Sequence, residues 1–224
     1  MAWEAVLWVA VAVAAPAVAA WAWPCLAHRL GHWSDMLERA TPWIHGLIPA
    51  YLALITGAVL GRDFGLYGQG WAGWLRGLAA CIPPLGAAWL ARRFGLAAGW
   101  AVPAPVQAAQ DEPRWSLYRA AGALWTGLTL PGVMIGLVLG AAEWALARRL
   151  WRRGAWRHFE LWAPLIRLAL SSALFAVTHN VWLTAATHAG VLALLRQAPQ
   201  LAPAPSPAEC QPPTERALPN EEVA

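Results

Sequence analysis

Along the chain, hydrophobic positions gather into seven stretches: 2–23, 43–60, 74–91, 112–128, 132–150, 160–177 and 180–196. Each is about 17–22 residues long, the length at which a helix crosses a hydrocarbon core of roughly 30 Å. The core helices of a soluble protein pair an apolar stripe with a polar face, and most of these stretches have no polar face. The pattern predicts an all-α fold, a polytopic transmembrane helical bundle of about seven spans. The fourth stretch is the least uniform, because Asp111 to Arg119 is polar and only the remainder is apolar. Two breaks divide runs that would otherwise be too long. At Leu130-Pro131-Gly132, proline removes a donor and glycine permits a turn. Without a softer break at Thr178-His179-Asn180, residues 160–196 would run about 55 Å as one helix.

The basic residues test this count. All sixteen are Arg. With seven spans, one side of the bilayer receives Arg29, Arg39, Arg92, Arg93, Arg148, Arg149, Arg152, Arg153, Arg157, Arg196 and Arg216. The other side receives only Arg62 and Arg76, while Arg114, Arg119 and Arg167 fall inside helices. This asymmetry follows the positive-inside rule and predicts an outside N-terminus and a cytoplasmic C-terminus in the plasma (inner) membrane. Fusing 112–150 into one span would divide the arginines more evenly. The expected organisation is N-terminal transmembrane helices and loops over 1–100, a transmembrane core over 101–196, and a disordered Pro-rich cytoplasmic tail over 197–224. The first stretch contains Glu4 and no Arg before residue 29, so it reads as a retained span and not a secretory signal.

Composition adds to this picture. Charged residues make up only 12% of the chain, against 59% hydrophobic ones, and the seventeen Trp suit a bilayer interface. The net charge of +4 fits loops that face anionic lipid, so membrane lipid is an expected partner. There is no basic stripe of the kind that binds nucleic acid. Cys25, Cys81 and Cys210 show no paired spacing, which argues against a disulfide framework or a zinc ribbon.

An ionisable group in hydrocarbon costs at least a few kcal/mol, so each one needs a reason. Asp111, Glu112, Arg119, Glu143, Arg167, His179 and His188 are the candidates, with His28, His32 and His45 read as interfacial. Counted from the expected helix ends at 1.5 Å per residue, Arg119, Glu143 and His188 lie about 10–12 Å below one membrane face. An acid, a base and a histidine on three helices would then share a level. One reading is a structural Arg119–Glu143 ion pair with His188 bonded nearby. The other is a metal- or proton-handling site, in which carboxylate and imidazole bind a divalent metal such as zinc or activate water. Arg167 reads as structural or snorkelling, and His179 as a turn residue.

These residues carry a resemblance. The stretch Asp111-Glu112-Pro113-Arg114-Trp115-Ser116-Leu117-Tyr118-Arg119 resembles the paired-acid motif of the CAAX-protease and bacteriocin-processing (CPBP) family of glutamic-type intramembrane endopeptidases. Glu143 occupies the slot of the family's next-helix histidine, and His188, six residues after Trp182, that of the third-motif histidine. Gly61-Arg62-Asp63-Phe64-Gly65-Leu66 resembles the short loop that precedes the family's core. The similarity covers 111–195. It departs from the family pattern at Asp111, at Ser116 in place of Arg, at Glu143 in place of His and at Leu192 in place of Asn. A literal FxxxH match at Phe175–His179 leaves only nine residues before His188 and is set aside.

The resemblance implies an endopeptidase that hydrolyses a peptide or protein substrate near the cytoplasmic membrane face. Glu112, assisted by Asp111 and Arg119, would be catalytic, and Glu143 and His188 would hold a metal or the oxyanion. The alternative is a catalytically inactive relative acting as a membrane scaffold or immunity-type partner. A small transporter would predict inverted repeats, and none is visible.

Overall fold

The computed structural model describes residues 2–31, 33–94, 103–150 and 158–196. The expected tail from Gln197, with Cys210 and Arg216, lies outside them, as do His32, Arg152, Arg153 and Arg157. Among the described residues the chain is all-helical, with no strand. In order the helices are α1 (Ala2–Leu30), α2 (Trp33–Ile55), α3 (Gly61–Phe64), α4 (Trp71–Arg93), α5 (Ala104–Thr126), α6 (Thr129–Leu150), α7 (His158–Thr178) and α8 (Val181–Leu195).

The seven long helices fall where the apolar stretches lie. By length and composition, one of them, within Thr129–Leu146, is apolar enough to cross a membrane. Shorter apolar runs occur at Trp3–Ala19, Ala40–Ile55, Ala163–Thr178 and Val181–Leu195. Helix α5 falls short because Asp111, Glu112, Arg114 and Arg119 lie inside it.

Two boundaries have clear local causes. Asn180 is the N-cap of α8, its side-chain oxygen accepting from the amides of Trp182 (2.9 Å) and Leu183 (3.2 Å). His179 before it takes a positive φ of 48°, so the chain reverses there. The α5–α6 break falls earlier than Leu130-Pro131-Gly132. Helix α5 ends at Thr126, and Gly127 caps it in the left-handed region, its amide bonding Ala123 O at 2.8 Å. Pro131 sits in the first turn of α6, where its missing donor costs little.

Helix α5 is the centre of the bundle and packs against α1, α2, α3, α6 and α8, while α4 rests on α7 and α8. Glycine lets α6 lie directly on α5. A Cβ on Gly136 would come within 2.7 Å of Arg119 Cγ, and one on Gly122 within 2.6 Å of Gly132 O. These contacts set the register of the antiparallel pair, with Gly132 opposite Gly122 and Gly136 opposite Arg119. Seven residues further along α6, Glu143 is therefore level with Asp111–Arg114 and not with Arg119.

Most buried side chains are apolar, among them Leu117, Tyr118, Ala120 and Leu168. Set within them are Glu112, Ser116, Arg119, Ser171, Thr184 and His188, all nearly inaccessible. Large apolar side chains such as Trp71, Ile82, Leu130, Val138 and Val177 point outward.

Candidate functional site

Helix α5 carries two polar faces. Glu112, Ser116 and Arg119 recur at helical spacing on one, and Gln107, Asp111, Arg114 and Tyr118 on the other. Each face collects partners from other helices, and the result is two separate ionic clusters.

The inner cluster is centred on the Glu112 carboxylate. Arg119 leans back two turns toward the start of its helix, the direction helical side chains favour, and places Nη2 3.1 Å from Glu112 Oε2. The same Nη2 is 2.9 Å from Ser116 Oγ, and Nη1 donates to Ser171 Oγ on α7 at 2.7 Å. Ser171 Oγ in turn donates to Glu112 Oε2 at 2.9 Å. The other carboxylate oxygen, Oε1, lies 3.0 Å from His188 Nδ1 on α8. The imidazole stacks on Trp115, with ring centroids 5.4 Å apart and planes 14° apart. Phe175 lies under the Arg119 guanidinium at 4.5 Å. Glu112 and Arg119 are 1% exposed and His188 2%.

An ionised carboxylate only accepts, and here it takes donors from Arg119 and Ser171, so the proton shared with His188 resides on Nδ1. Nε2 is the ring nitrogen left without the carboxylate. It is buried and has no hydrogen-bond partner among the described residues, and the same holds for Arg119 Nε, Ser172 Oγ and, nearer the start of α5, Arg114 Nε. Buried polar atoms without partners are uncommon and mark a strained or functional place.

In the outer cluster, Asp111 Oδ1 pairs with Arg114 Nη2 at 3.2 Å, and Oδ2 with Arg167 Nη1 at 3.1 Å. Gln107 Nε2 donates to the same Oδ2 at 3.0 Å. Arg114 Nη1 also reaches Glu143 Oε1 at 3.0 Å and His45 Nδ1 at 3.2 Å. Tyr118 OH donates to Glu143 Oε2 at 3.0 Å. Two acids balance two arginines, and α2, α5, α6 and α7 are tied together.

The candidate residues therefore divide. Glu112, Arg119 and His188 meet, whereas Asp111 and Glu143 belong to the other cluster. The expected Arg119–Glu143 ion pair is replaced by Arg119–Glu112 and Arg114–Glu143. The α5–α6 register is the reason, together with an α5 that begins at Ala104, about two turns before the apolar stretch. Arg167 is drawn in by Asp111 and does not snorkel, and His45 is half-buried against Arg114. His179 occupies an exposed turn, while Phe175, from the FxxxH match that was set aside, packs on Arg119. Leu192, in the slot of the family's asparagine, is buried.

The donor set does not fit a metal. Both Glu143 oxygens are engaged by Arg114 and Tyr118, and both Glu112 oxygens by Arg119, Ser171 and His188. Among the described residues, no group of three or more His, Cys, Asp or Glu is placed to hold an ion. A zinc ion needs at least three such ligands, and recruiting Glu143 with His188 would take from Arg114 one of its two carboxylates.

Sequence reasoning missed Ser171, Trp115 and Phe175. Ser116 had a signal, since it lies between Glu112 and Arg119 on their common face. The others have none within the chain, because serine and aromatic residues are ordinary in apolar helices. Compared with known proteins, the chain matches no family model, no curated protein and no solved structure.

Proposed function

We propose that the chain is a polytopic membrane protein of about seven spans, with the arginine-rich face cytoplasmic, that hydrolyses peptide bonds as the CPBP endopeptidases it resembles do, but with His188 as the base. The large exposed apolar side chains, together with buried charges that pair only with one another, support the first part, since lipid favours outward apolar side chains and leaves polar groups to one another. The observation that carries the second is the Glu112–His188 contact at 3.0 Å, with Nε2 buried and bare.

Two helices, 76 residues apart along the chain, bring a carboxylate to a histidine in a buried interior. In that pairing the carboxylate orients the ring and stabilises the imidazolium that forms when Nε2 takes a proton. A water at Nε2 gives up its proton as its oxygen bonds to the peptide carbonyl carbon. The proton then passes from Nε2 to the leaving nitrogen as the C–N bond breaks. Arg119 Nε–H, buried without an acceptor, is the group available to the developing oxyanion. Glu112 therefore acts through His188 rather than directly on water, because both its oxygens are already engaged. Asp111 and Glu143, in the outer cluster, take no part in these steps. No step passes through a metal.

The test uses purified full-length protein in lipid nanodiscs with a panel of quenched-fluorescent peptides. Cleavage by the wild type, abolished by His188→Gln at unchanged melting temperature, is the expected result. Cleavage undiminished in His188→Gln would overturn the mechanism. A second reading, a non-catalytic scaffold, is favoured by the near-total burial and full ionic pairing of Glu112. It predicts no turnover by the wild type, and variants that alter stability alone.

A further inference from the structure

Ser171 is a residue that neither the motif spacing nor the proposed chemistry requires. Yet its hydroxyl closes a ring with Arg119 and Glu112. Nη1 of Arg119 donates to Ser171 Oγ (2.7 Å), Ser171 donates to Glu112 Oε2 (2.9 Å), and Nη2 of Arg119 returns to the same Oε2 (3.1 Å). Arginine facing a carboxylate ordinarily sets two parallel N–H donors on its two oxygens. Here Ser171 draws one of those donors away, so Arg119 engages Oε2 alone. Oε1 is left to His188 Nδ1 at 3.0 Å.

We propose that Ser171 is a positioning residue: by holding Nη1 of Arg119, it reserves one oxygen of Glu112 for His188 and so determines which imidazole nitrogen is bare. The tautomer of a histidine is set by the hydrogen bond its other nitrogen makes. Without the serine hydroxyl, Nη1 has lost its acceptor in a site that is 1% exposed, and the Glu112 carboxylate already bonded to Nη2 is the anionic group beside it. Arg119 then spans both oxygens, His188 Nδ1 loses its partner, and the proton moves to Nε2. The imidazole stays in place against Trp115, but its reactive lone pair points the wrong way. The catalytic consequence rests on the peptidase reading above, whereas the tautomer assignment does not.

The experiment is nitrogen NMR of the full-length protein in bilayers, with histidine labelled at both ring nitrogens. A His188→Gln sample identifies the His188 signals. In the wild type, His188 is expected as the Nδ1–H tautomer with unprotonated Nε2. Ser171→Ala converts it to Nε2–H, and Ser171→Thr, which restores a hydroxyl, returns it. A serine that merely packs would lower the melting temperature in Ser171→Ala and leave the tautomer alone, which would overturn the assignment. So would a wild-type spectrum with Nε2 protonated, a result that does not depend on any variant folding. If the wild type cleaves peptides, Ser171→Ala lowers kcat about 10- to 100-fold, the loss typical when a histidine loses its orienting partner, with KM unchanged. An Nδ1–H wild type that cleaves nothing would uphold the role of Ser171 and remove the peptidase reading.

Discussion

Two clusters grow from one helix, and they treat charge differently. In the outer cluster, Asp111 and Glu143 face Arg114 and Arg167, and each carboxylate has both oxygens engaged by neighbouring side chains. In the inner cluster, one carboxylate faces one arginine, and the second carboxylate oxygen is turned toward His188. The outer arrangement uses most of its polar capacity in joining four helices, with Arg114 Nε left over. The inner one leaves a histidine nitrogen, His188 Nε2, without a partner in the buried interior, beside Arg119 Nε. The distinguishing mark is therefore the kind of group left over: a guanidinium donor in the outer cluster, a ring nitrogen able to exchange a proton in the inner.

The comparison breaks first on turnover. Glu112→Gln removes the anion that orients His188 and is expected to lower peptide cleavage about 10²- to 10⁴-fold, the usual contribution of acid–base catalysis. Glu143→Gln keeps the size of the side chain in the other cluster. It should leave cleavage near the wild-type rate when measured on folded protein at equal concentration. Equal losses in the two variants would erase the division.

Stability should reverse that order. Glu143→Ala takes one of the two carboxylates from Arg114, which keeps Asp111, and leaves Tyr118 OH without its acceptor; the loss approaches about 3–5 kcal/mol, the cost of breaking a buried pair outright. Thermal unfolding in nanodiscs would read this as a lowered midpoint. Replacing both partners, with Arg114→Met added to Glu143→Leu, removes an acid and a base together while Asp111 keeps Arg167, and should recover part of the loss. A double variant as unstable as the single would show that the pair does more than cancel charge.

The smallest expected effect concerns the geometry beneath both clusters. Gly136→Ala places a methyl against Arg119 Cγ and backbone, where α6 has no room to retreat without disturbing Gly132. Overpacking of this kind costs about 1–3 kcal/mol. Because the clash falls at Arg119, the variant should impair the inner cluster before the outer, seen as lost cleavage at temperatures where the protein remains folded.

The sequence made the helices legible because apolar runs of bilayer length between proline, glycine and polar breaks have few alternative conformations. The position of the Thr178–Asn180 turn was readable for the same reason, since Asn180 is a strong N-cap and the run would otherwise be too long. The α5–α6 break was misplaced by a few residues. Proline is tolerated in a first helical turn, and the capping signal at Gly127 was outweighed by the Pro131-Gly132 pair. Glu112, Arg119 and His188 stood out as costly groups in apolar surroundings, which needs no knowledge of the fold.

What those groups touch was decided only by tertiary structure. Depth counted from each helix end paired Arg119 with Glu143, but depth depends on where a helix begins, and α5 begins at Ala104. The register of α5 on α6 comes from glycines that let two backbones meet, and it carried Glu143 two turns away, to Arg114. Ser171 and Phe175 joined the site from α7 because packing put them there, and no local preference marks either one. The sequence by itself determined which ionisable residues within apolar helices would need partners. Packing between helices determined their partners, because hydrogen bonds form between neighbours in space and these residues are far apart along the chain.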